Sequence, residues 1–383
     1  MRIMVIGHSY MTRFAQGKYE ALVRADSNVS LLAIVPRRWP DALAEVMAEE
    51  RTEPRFRVVA LPTVLSGWGS RYFFTSPRLL RLLRTFRPEV VQVEHEPAAL
   101  VLLQLNVVFA LLRQSPKVVL FSWEDLEIPR KWPMRVLARM IHAINVPRIG
   151  YVIPGNSDAV EVLHRKGFRG PMRLLPQVGV DPALFSPGRE EALRRELDLG
   201  GSFVVGFAGR IVPEKGLRTL VSALISLKDY DWKLLLVGRG GLLPELQATL
   251  NRAGMGDRLR HVSSVPHLAL PPYYRCMDAF VLPSETTPRW KEQFGHVLLE
   301  AMASGVPVIG SSSGYIPAVI KDAGIVFPEG DAEALARELA RLMDDGPFPA
   351  SLIRKGHEAI ASRYSHDALA RSLLKVYTDV IDG

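Results

Sequence analysis

The chain has 383 residues, of which 48% are hydrophobic and 23% are charged, and it contains a single cysteine, Cys276. Such a composition excludes disorder as the main state, because the apolar side chains are numerous enough to offset the entropy of the ordered chain. One cysteine excludes a disulfide framework and a zinc site made of several cysteines, and it fits a reducing compartment. The length predicts two domains, since a domain usually has about 100–200 residues.

Neither the amino terminus nor the longest apolar stretch has the pattern of a targeting signal or a membrane span. The apolar segment 3–6 is too short for the core of a signal peptide. The stretch Ala98–Leu112 contains Gln104 and Asn106 and falls short of the about 20 residues that cross a bilayer. We therefore expect a cytoplasmic protein in which this stretch forms a buried helix.

Charge is distributed unevenly along the chain, which has a formal net charge of +8. Residues 1–190 contain 26 Lys and Arg against 17 Asp and Glu, whereas residues 191–383 contain 22 against 23. A basic half followed by a neutral half indicates two domains with different partners.

Short apolar, β-branched segments alternate with longer helical patterns. In the first half the predicted strands are Arg2–Ile6, Val29–Val35, Arg57–Ala60, Val90–Val93, Lys117–Phe121, Gly150–Ile153 and Met172–Leu175. In the second half they are Phe203–Ala208, Lys233–Val237, Arg260–Val262, Ala279–Leu282, Val306–Ile309 and Gly324–Phe327. Nearly continuous apolar strands with helices between them predict parallel sheets covered on both faces. Two such series predict an α/β fold of two doubly wound, Rossmann-like domains.

The predicted junction between these domains lies near 179–201, where Pro and Gly residues favour turns before a charged helix at Arg189–Leu197. We therefore predict one domain at 1–188 and a second at 189–365. The last segment, 366–383, is predicted to be a helix because its apolar residues recur at helical spacing.

Ligands of doubly wound sheets bind outside the carboxyl ends of the strands, so residues just after strands are candidate site residues. Gly209, Arg210 and Lys215 follow the predicted strand Phe203–Ala208. Two cations beside a glycine turn, at the start of a helix, form a strong anion site. A solvent-facing loop with incidental charges is the alternative. Gly238, after the next strand, resembles a phosphate-binding loop that lacks the full dinucleotide fingerprint.

Two carboxylates, Glu292 and Glu300, flank the predicted beginning of a helix near Phe294 and Gly295. Carboxylates accept hydrogen bonds from sugar hydroxyls, and backbone amides donate to anions, so this arrangement suits a ligand that carries both groups. Two solvated helix carboxylates are the alternative, which the apolar residues around Glu300 disfavour.

A histidine and a glycine loop stand out in the first half. His95 follows the predicted strand Val90–Val93 between two glutamates, where an imidazole can hold or accept a proton. A hydrogen-bonded loop histidine is the alternative. Gly7, followed by His8 and Tyr10, ends the first strand and is a weaker candidate.

The sequence also contains one apparent metal motif. Asp229-Tyr230-Asp231 has Asp-x-Asp spacing, but it lies between a predicted helix and the strand Lys233–Val237, where a turn is the better interpretation. The nine histidines show no spacing typical of zinc ligands. We therefore expect no protein-bound metal.

The segment Glu292–Ile309, together with Gly209–Gly216 upstream of it, resembles the retaining glycosyltransferases of GT-B fold, in particular glycosyltransferase family 4. Residues 156–157 and 178–185 resemble the domain junction of that family. The resemblance covers nearly the whole chain and is strongest over 203–330. It implies two Rossmann-like domains that face a cleft, with the final helix crossing back to the first domain.

The resemblance also implies roles for individual residues, with the donor nucleotide-sugar in the second domain and the acceptor in the first. The implied donor-binding residues are Gly209, Arg210, Lys215, Gly238, Val265, Phe294, Gly295 and Glu300, and the implied catalytic residues are His95 and Glu292. Arg210 and Lys215 would bind the diphosphate, Glu300 the ribose and Val265 the base. Gly7, His8 and Tyr10 would lie on the acceptor side, although family members often have paired glycines there and this chain does not.

The resemblance implies transfer of a hexose-type sugar from a UDP-, GDP- or ADP-sugar to a glycan or lipid-linked acceptor, with retention of configuration, in surface polysaccharide or glycolipid assembly. Cations and a helix terminus would stabilise the leaving diphosphate, so neither a metal nor a cofactor is expected. A nucleotide-sugar epimerase on the same fold and a catalytically idle nucleotide-sugar binder remain alternatives. A nicotinamide dehydrogenase is disfavoured because Gly-x-Gly-x-x-Gly is lacking.

The basic first half further predicts peripheral contact with an anionic membrane on its inner face, and no nucleic-acid partner. The segment 78–87 separates leucines and a phenylalanine on one face from arginines on the other, beside Trp68, Tyr72, Phe73 and Phe74. Packing of the apolar face on the sheet, with the arginines outward, is the alternative interpretation.

Overall fold

The computed structural model describes residues 1–40, 45–67, 71–124, 132–263, 265–345 and 347–383. The chain forms two compact units. The first comprises Met1–Gly179 together with His366–Gly383, and the second comprises Val180–Ser365.

The strands of the first unit are β1 (Arg2–Ile6), β2 (Ser30–Pro36), β3 (Arg38–Pro40), β4 (Glu45–Met47), β5 (Arg51–Thr52), β6 (Phe56–Leu61), β7 (Thr63–Val64), β8 (Phe73–Phe74), β9 (Val90–Glu94), β10 (Lys117–Ser122) and β11 (Ile149–Pro154). Seven of them form a sheet in the order β11-β10-β9-β1-β2-β6-β5. Its strands are parallel except β5, which runs antiparallel to β6 at the edge. The pairs β3-β4 and β7-β8 are short antiparallel ribbons.

The helices of the first unit up to residue 179 are α1 (Arg13–Ala25), α2 (Arg78–Phe86), α3 (Leu100–Leu112), α4 (Met134–Asn145) and α5 (Ser157–Arg165). Side chains of β1 alternate between two core layers. Ile3 and Val5 pack in a layer with α1, whereas Met4 and Ile6 pack in a layer with leucines of α2 and α3. Both faces of the sheet are therefore covered, which is why its strands are nearly continuous apolar runs.

The prediction of a strand at Met172–Leu175 is wrong. Met172 forms a single bridge to Val152, and the segment does not continue as a ladder. Pro171 and Pro176 flank the segment, and a proline has no N–H to donate to a ladder. The stretch therefore runs along the edge strand β11 and makes backbone hydrogen bonds to it, from Arg173 N to Val152 O at 3.1 Å and from Leu175 N to Pro154 O at 3.2 Å, without forming a regular strand.

The structure decides between the two interpretations of the segment 78–87 in favour of packing on the sheet. In α2 the leucines Leu79, Leu82 and Leu83 are buried, so its apolar face packs on the sheet, while the arginines, Leu80 and Thr85 face outward. Tyr72 and Phe74 are buried as well, and Trp68 lies outside the described residues. The segment 78–87 thus presents no apolar face to a membrane.

Helix α3 forms within the stretch 98–112 that was expected to be a buried helix. Only one side of it is buried, because Val107 and Leu111 on the other side are exposed. None of the described helices combines the length and the apolar character that a membrane span requires.

The elements of the second unit are α6 (Glu191–Glu196), β12 (Phe203–Ala208), α7 (Leu217–Ser226), β13 (Trp232–Val237), α8 (Leu243–Arg252), β14 (Leu259–Val262), α9 (Pro271–Tyr274), β15 (Ala279–Leu282), α10 (His296–Ala303), β16 (Val308–Ser311), α11 (Ile316–Ile320), β17 (Ile325–Phe327), α12 (Ala332–Asp344) and α13 (Pro347–Ala359). Its six-stranded sheet has the order β14-β13-β12-β15-β16-β17, and every pair in it is parallel. The predicted pair of doubly wound, Rossmann-like domains is thereby confirmed.

The units divide at residue 180, so the boundary predicted at 188 falls within the second unit. Val180 donates a backbone hydrogen bond to Tyr364 at 2.9 Å. Phe185 is fully buried and packs its ring against His267 and Tyr274. These contacts attach the segment 180–188 to the second unit.

The last helix, α14 (His366–Asp382), belongs to the first unit and packs along α1. Tyr377 is fully buried, and its hydroxyl donates to Gln92 Oε1 in β9 at 2.7 Å. Gln92 in turn donates to the Tyr19 hydroxyl in α1 at 2.8 Å. This buried polar chain ties the carboxyl-terminal helix to the central strands.

Candidate functional site

The strand orders locate a topological switch point in each sheet. In the second unit the chain moves from β12 out to β13 and β14 and then returns to β15 on the other side of β12. In the first unit the corresponding neighbours are β1 and β9. Ligands of open parallel sheets bind outside the carboxyl ends of the strands at such points. The residues after β12 and β15, and those after β1 and β9, are therefore the candidate site residues.

Two glycines set the shape of the loops after β12 and β13. Gly209 and Gly238 both have a φ of +144°, in the region that favours glycine. A Cβ atom on Gly238 would lie 1.9 Å from the carbonyl oxygen of Gly209, so a larger residue would separate the two loops. The loops are also joined by a hydrogen bond from Ile211 N to Arg239 O at 2.8 Å. The structure thus gives both predicted glycines a definite architectural role.

Lys215 lies at the end of the 3-10 turn Pro213–Lys215, directly before α7. Its ammonium group donates to Glu292 Oε2 at 2.6 Å and lies 4.8 Å from the centre of the Trp290 ring. The lysine is therefore held between a carboxylate and an aromatic face, and its charge is fixed in direction before any ligand arrives.

Glu292 lies in the loop between β15 and α10, as the sequence predicts. Its side chain is mostly buried, and Oε2 also accepts a hydrogen bond from the Ser284 hydroxyl at 2.8 Å. The backbone oxygen of Glu292 accepts from the Tyr315 amide at 2.9 Å. These contacts fix both the main chain and the carboxylate beside Lys215.

Arg210 is more loosely held than Lys215. Its guanidinium lies 3.7 Å from Glu214 four residues later, and more than a third of its side chain is exposed. Exposed pairs of this kind contribute little to stability, so the arginine can exchange Glu214 for an anionic ligand at small cost.

Glu300 lies in α10 and is almost completely buried. Its two carboxylate oxygens contact His267 Nε2 at 2.8 Å and the Tyr274 hydroxyl at 2.6 Å. Burial, followed by the adjacent Glu300 charge, raises the pKa of Tyr274 well above its usual value, so the phenol stays a hydrogen-bond donor. Two groups therefore fix the orientation of the carboxylate.

The remaining predicted donor residues flank these carboxylates. Phe294 is buried and packs its ring against Tyr315 and Tyr364, which supports the beginning of α10. Gly295 is the residue immediately before that helix. Val265 is partly buried and lies between β14 and the 3-10 turn His267–Ala269, two residues before His267 in the sequence.

In the first unit, His95 follows β9 and is partly exposed. Its backbone amide donates to Phe121 O at 3.0 Å, and its ring lies 5.4 Å from the Tyr72 ring and 5.8 Å from the His8 ring. Its Nε2 atom is shielded and has no hydrogen-bond partner among the described residues. Burial lowers the pKa of His95 to about 4, so the imidazole is neutral at neutral pH.

The three residues predicted for the acceptor side, Gly7, His8 and Tyr10, differ in their surroundings. Gly7 and His8 follow β1, and the His8 ring stacks on Trp39 at 4.3 Å. Tyr10 is fully buried, and its hydroxyl accepts a hydrogen bond from Lys18 at 3.1 Å. Because its side chain is enclosed, Tyr10 packs inside the first unit beneath the loop and is not available to an acceptor. This corrects the prediction that Tyr10 contacts the acceptor.

Sequence reasoning missed the groups beneath this loop. Lys18 and Glu94 are both buried, with Nζ 3.8 Å from Oε1, and Gln177 donates to Glu94 at 2.8 Å and to Ser9 at 3.0 Å. Burial lowers the pKa of Lys18 and raises that of Glu94. Glu94 could have been found from the sequence, because it is adjacent to the candidate His95. Lys18 could not, because nothing distinguishes it from the other polar residues of an amphipathic helix.

Trp290, His267 and Tyr274 were also missed in the second unit. Only Trp290 carried a signal, since it lies two residues before Glu292. The Asp229-Tyr230-Asp231 segment is a turn before β13, as predicted, and Asp231 accepts from the Ser202 hydroxyl at 2.8 Å. It lies at the amino end of that strand, whereas the candidate site residues follow carboxyl ends.

The second half of the chain is similar in sequence to known glycosyltransferases. Residues 189–359 match the sequence model of the family described as "Glycosyl transferases group 1". The D-inositol 3-phosphate glycosyltransferase of Segniliparus rotundus is 34% identical over 214 residues, which are 54% of this chain and 46% of that protein. The lipopolysaccharide core biosynthesis mannosyltransferase LpsB of Rhizobium meliloti is 30% identical over 217 residues, which are 53% of this chain and 60% of that protein. The chain thus spans about half the length of the curated relatives it matches.

The fold is shared over the whole chain. The crystal structure of Anabaena Alr3699/HepE in complex with UDP has a TM-score of 0.73 at 17% identity, covering 99% of this chain and 100% of that one. The chain has the GT-B fold of the glycosyltransferases. The match to the group 1 glycosyltransferase sequence model lies in the second unit, which contains the ion pair of Lys215 and Glu292.

Proposed function

We propose that the protein is a glycosyltransferase that moves a hexose-type sugar from a nucleotide-sugar to a glycan or lipid-linked acceptor, with retention of configuration. The observation that carries the proposal is the contact between Lys215 and Glu292 at the switch point between β12 and β15. A cation for a diphosphate and a carboxylate for sugar hydroxyls are adjacent there, which is the pair of groups that a nucleotide-sugar requires.

The proposed reaction follows from how charge develops. When the sugar–phosphate bond breaks, positive charge appears at the anomeric carbon and negative charge on the leaving diphosphate. Arg210 and Lys215 stabilise the diphosphate, so the reaction needs no metal ion. The acceptor hydroxyl attacks from the face that the diphosphate leaves and gives its proton to the departing phosphate. Glu300 binds the ribose. His95, which is neutral, is the residue of the first unit that we propose for hydrogen bonding to a sugar ligand.

The donor and acceptor classes are supported by the relatives. Anabaena Alr3699/HepE binds UDP, and LpsB is a mannosyltransferase of lipopolysaccharide core biosynthesis. We accordingly propose a UDP-, GDP- or ADP-sugar as donor and a role in surface polysaccharide or glycolipid assembly, at the cytoplasmic face of the membrane.

The test is incubation of the full chain with a panel of radiolabelled nucleotide-sugars, with and without extracts that contain lipid-linked and glycan acceptors. Transfer or slow hydrolysis of one donor is expected. Interconversion of the sugar on its nucleotide would instead identify an epimerase, and binding without chemistry would identify an idle binder. A preceding screen by thermal stabilisation selects the base, since a ligand at about 100 times its dissociation constant adds roughly 2.7 kcal/mol.

Metal independence is tested in the same assay. Transfer should survive an excess of EDTA, because Arg210 and Lys215 supply the positive charge that a divalent ion supplies elsewhere. Complete loss of transfer in EDTA, restored by magnesium or manganese, would contradict this part of the proposal.

A further inference from the structure

Trp290 is the aromatic partner of Lys215, and the reaction proposed above gives it no role. It lies in the loop between β15 and α10, and its side chain is partly exposed. The Lys215 ammonium lies 4.8 Å from the centre of the indole ring. A lysine within about 6 Å of the face of a tryptophan is attracted by the quadrupole of the ring. Trp290 therefore holds the lysine together with Glu292, which accepts its hydrogen bond.

A tight turn fixes the tryptophan in this position. Thr287 N donates to Trp290 O at 2.7 Å, and Trp290 N donates back to Thr287 O at 3.3 Å. Pro288 lies between them and restricts the backbone of the turn. The Thr287 hydroxyl also accepts a hydrogen bond from Arg289 N at 3.3 Å. The indole is thus presented by a closed turn of four residues.

The turn is anchored on both sides to loops that follow other strands of the sheet. Before the turn, Thr286 donates to Glu329 Oε2 through its amide at 3.0 Å and through its hydroxyl at 2.9 Å. After the turn, Glu292 O accepts from the Tyr315 amide at 2.9 Å. Glu329 follows β17, and Tyr315 follows β16. The position of Trp290 beside Lys215 is therefore set by the sheet as well as by the turn.

The tryptophan holds Lys215 without neutralising it. An aromatic face attracts a cation but carries no net charge, whereas a second carboxylate would compete with an anionic ligand. The segment 286–291 contains Arg289 and Lys291 and no Asp or Glu. Lys215 makes one hydrogen bond among the described residues, so two of its three N–H groups remain for phosphate oxygens. The loop thus fixes the cation and leaves its charge available to a diphosphate.

We propose that Trp290 is a positioning residue for the interaction of Lys215 with the diphosphate of the donor. Attraction to a ring face does not require one fixed N–H direction, so the ammonium can turn from Glu292 towards a phosphate while it stays on the ring. The lysine side chain, which is only 15% exposed, then stays largely desolvated during the exchange. Glu292 Oε2 in turn gains room to accept a sugar hydroxyl. The inference rests on the proposed function for the identity of the ligand.

The test is calorimetry of the full chain with UDP, GDP and ADP and with the corresponding nucleosides. Trp290→Leu, which has no aromatic face, should bind the preferred diphosphate about 3- to 30-fold more weakly, the range expected for the loss of a cation–π contact. Nucleoside affinity should stay within about twofold. Trp290→Phe keeps an aromatic face with a weaker quadrupole, so its diphosphate affinity should lie between those of Trp290→Leu and the unaltered chain.

A matched control removes a cation–π contact elsewhere in the second unit. The guanidinium of Arg341 in α12 lies 3.7 Å from the centre of the Phe348 ring in α13. Neither residue follows a strand, so Phe348→Leu removes an aromatic face from a cation outside the candidate site. Its diphosphate affinity should equal that of the unaltered chain.

A comparison without ligand tests the contact itself. Trp290→Leu should lower the melting temperature by about 2–4 °C more in the unaltered chain than in a Lys215→Met background, because only the unaltered chain has a cation on the ring. Phe348→Leu should lower the melting temperature equally in both backgrounds. Circular dichroism measures all of these melting temperatures.

Four results would overturn the inference and leave the proposed function intact. These are equal diphosphate affinity in Trp290→Leu and the unaltered chain, equal affinity in Trp290→Leu and Trp290→Phe, and an equal effect of Trp290→Leu on melting in both backgrounds. The fourth is a parallel loss of nucleoside affinity, which would make Trp290 a contact of the base or ribose.

Failure of the unaltered chain to bind any of the three diphosphates is a different result. It would overturn the proposed function, and the inference with it, because the lysine would then have no diphosphate to meet.

Discussion

The ammonium nitrogen of Lys215 lies 2.6 Å from Glu292 Oε2, which also accepts the Ser284 hydroxyl. The two charged residues are 77 positions apart and meet because β12 and β15 are neighbours in the sheet. Without a ligand the pair keeps a lysine and a carboxylate largely out of solvent, each compensating the other. A bound diphosphate would share the lysine with Glu292, so the loss of either residue should affect the other.

Substitution of Lys215 by Ala should weaken nucleoside diphosphate binding by about 10- to 150-fold, since a charge-assisted hydrogen bond contributes roughly 1.5–3 kcal/mol. Binding of the nucleoside alone should change little. Calorimetry with both ligands measures the two effects. Arg218→Ala, which breaks an exposed ion pair with Glu245, is the control and should leave both affinities unaltered. Equal diphosphate affinity in Lys215→Ala and the unaltered chain would remove this loop from the donor site.

Glu292→Gln and His95→Ala should each lower turnover more than they lower nucleotide affinity. Both groups are proposed to contact the sugar, where interactions strengthen as charge develops in the transition state. Steady-state kinetics and equilibrium binding of the nucleotide give the two quantities. The exposed carboxylate variant Glu245→Gln controls for a general effect of charge removal. A large loss of affinity with unchanged turnover would contradict the proposed roles.

His95 should remain neutral down to about pH 5, because burial lowers its pKa from the ordinary 6.5 to about 4. The unfolded chain binds this proton more readily than the folded chain, so stability is lost as the pH falls from 6.5 towards 4. Denaturant unfolding at pH 7 and pH 4.5 should therefore show a smaller pH effect in His95→Gln than in the unaltered chain. His164→Gln, at an exposed histidine, is the control. An equal pH effect in His95→Gln and the unaltered chain would show that the imidazole is not desolvated.

Gly238→Ala should destabilise the second unit strongly. Its φ of +144° costs an alanine about 1–3 kcal/mol, and the new Cβ would lie 1.9 Å from Gly209 O. A decrease of at least about 6 °C in melting temperature is expected, together with loss of nucleotide binding. Gly241→Ala, in the same loop but with open space around the new Cβ, should melt within about 2 °C of the unaltered chain. Similar melting of the two variants would mean that the loops are not packed as described.

The positions of individual strands and helices were largely predictable from the sequence. Buried parallel strands require nearly continuous apolar runs, and this requirement located most strands of both sheets to within two residues. The position of Glu292 before α10 and of Glu300 within it followed from the apolar helical spacing after Gly295. The prediction of a strand at Met172–Leu175 was wrong because it gave more weight to the apolar composition of the segment than to the two flanking prolines.

Local pattern determined the two doubly wound sheets and the candidate residues at their strand ends, because periodicity and turn chemistry act over a few residues. Only the tertiary structure decided which of those residues meet. It placed Lys215 on Glu292, enclosed Tyr10 and attached 180–188 to the second unit. An amphipathic pattern specifies that a helix has an apolar face but not whether protein covers that face. Packing on the sheet buried the apolar face of α2, whereas Leu137, Met140 and Ile144 of α4 are exposed among the described residues.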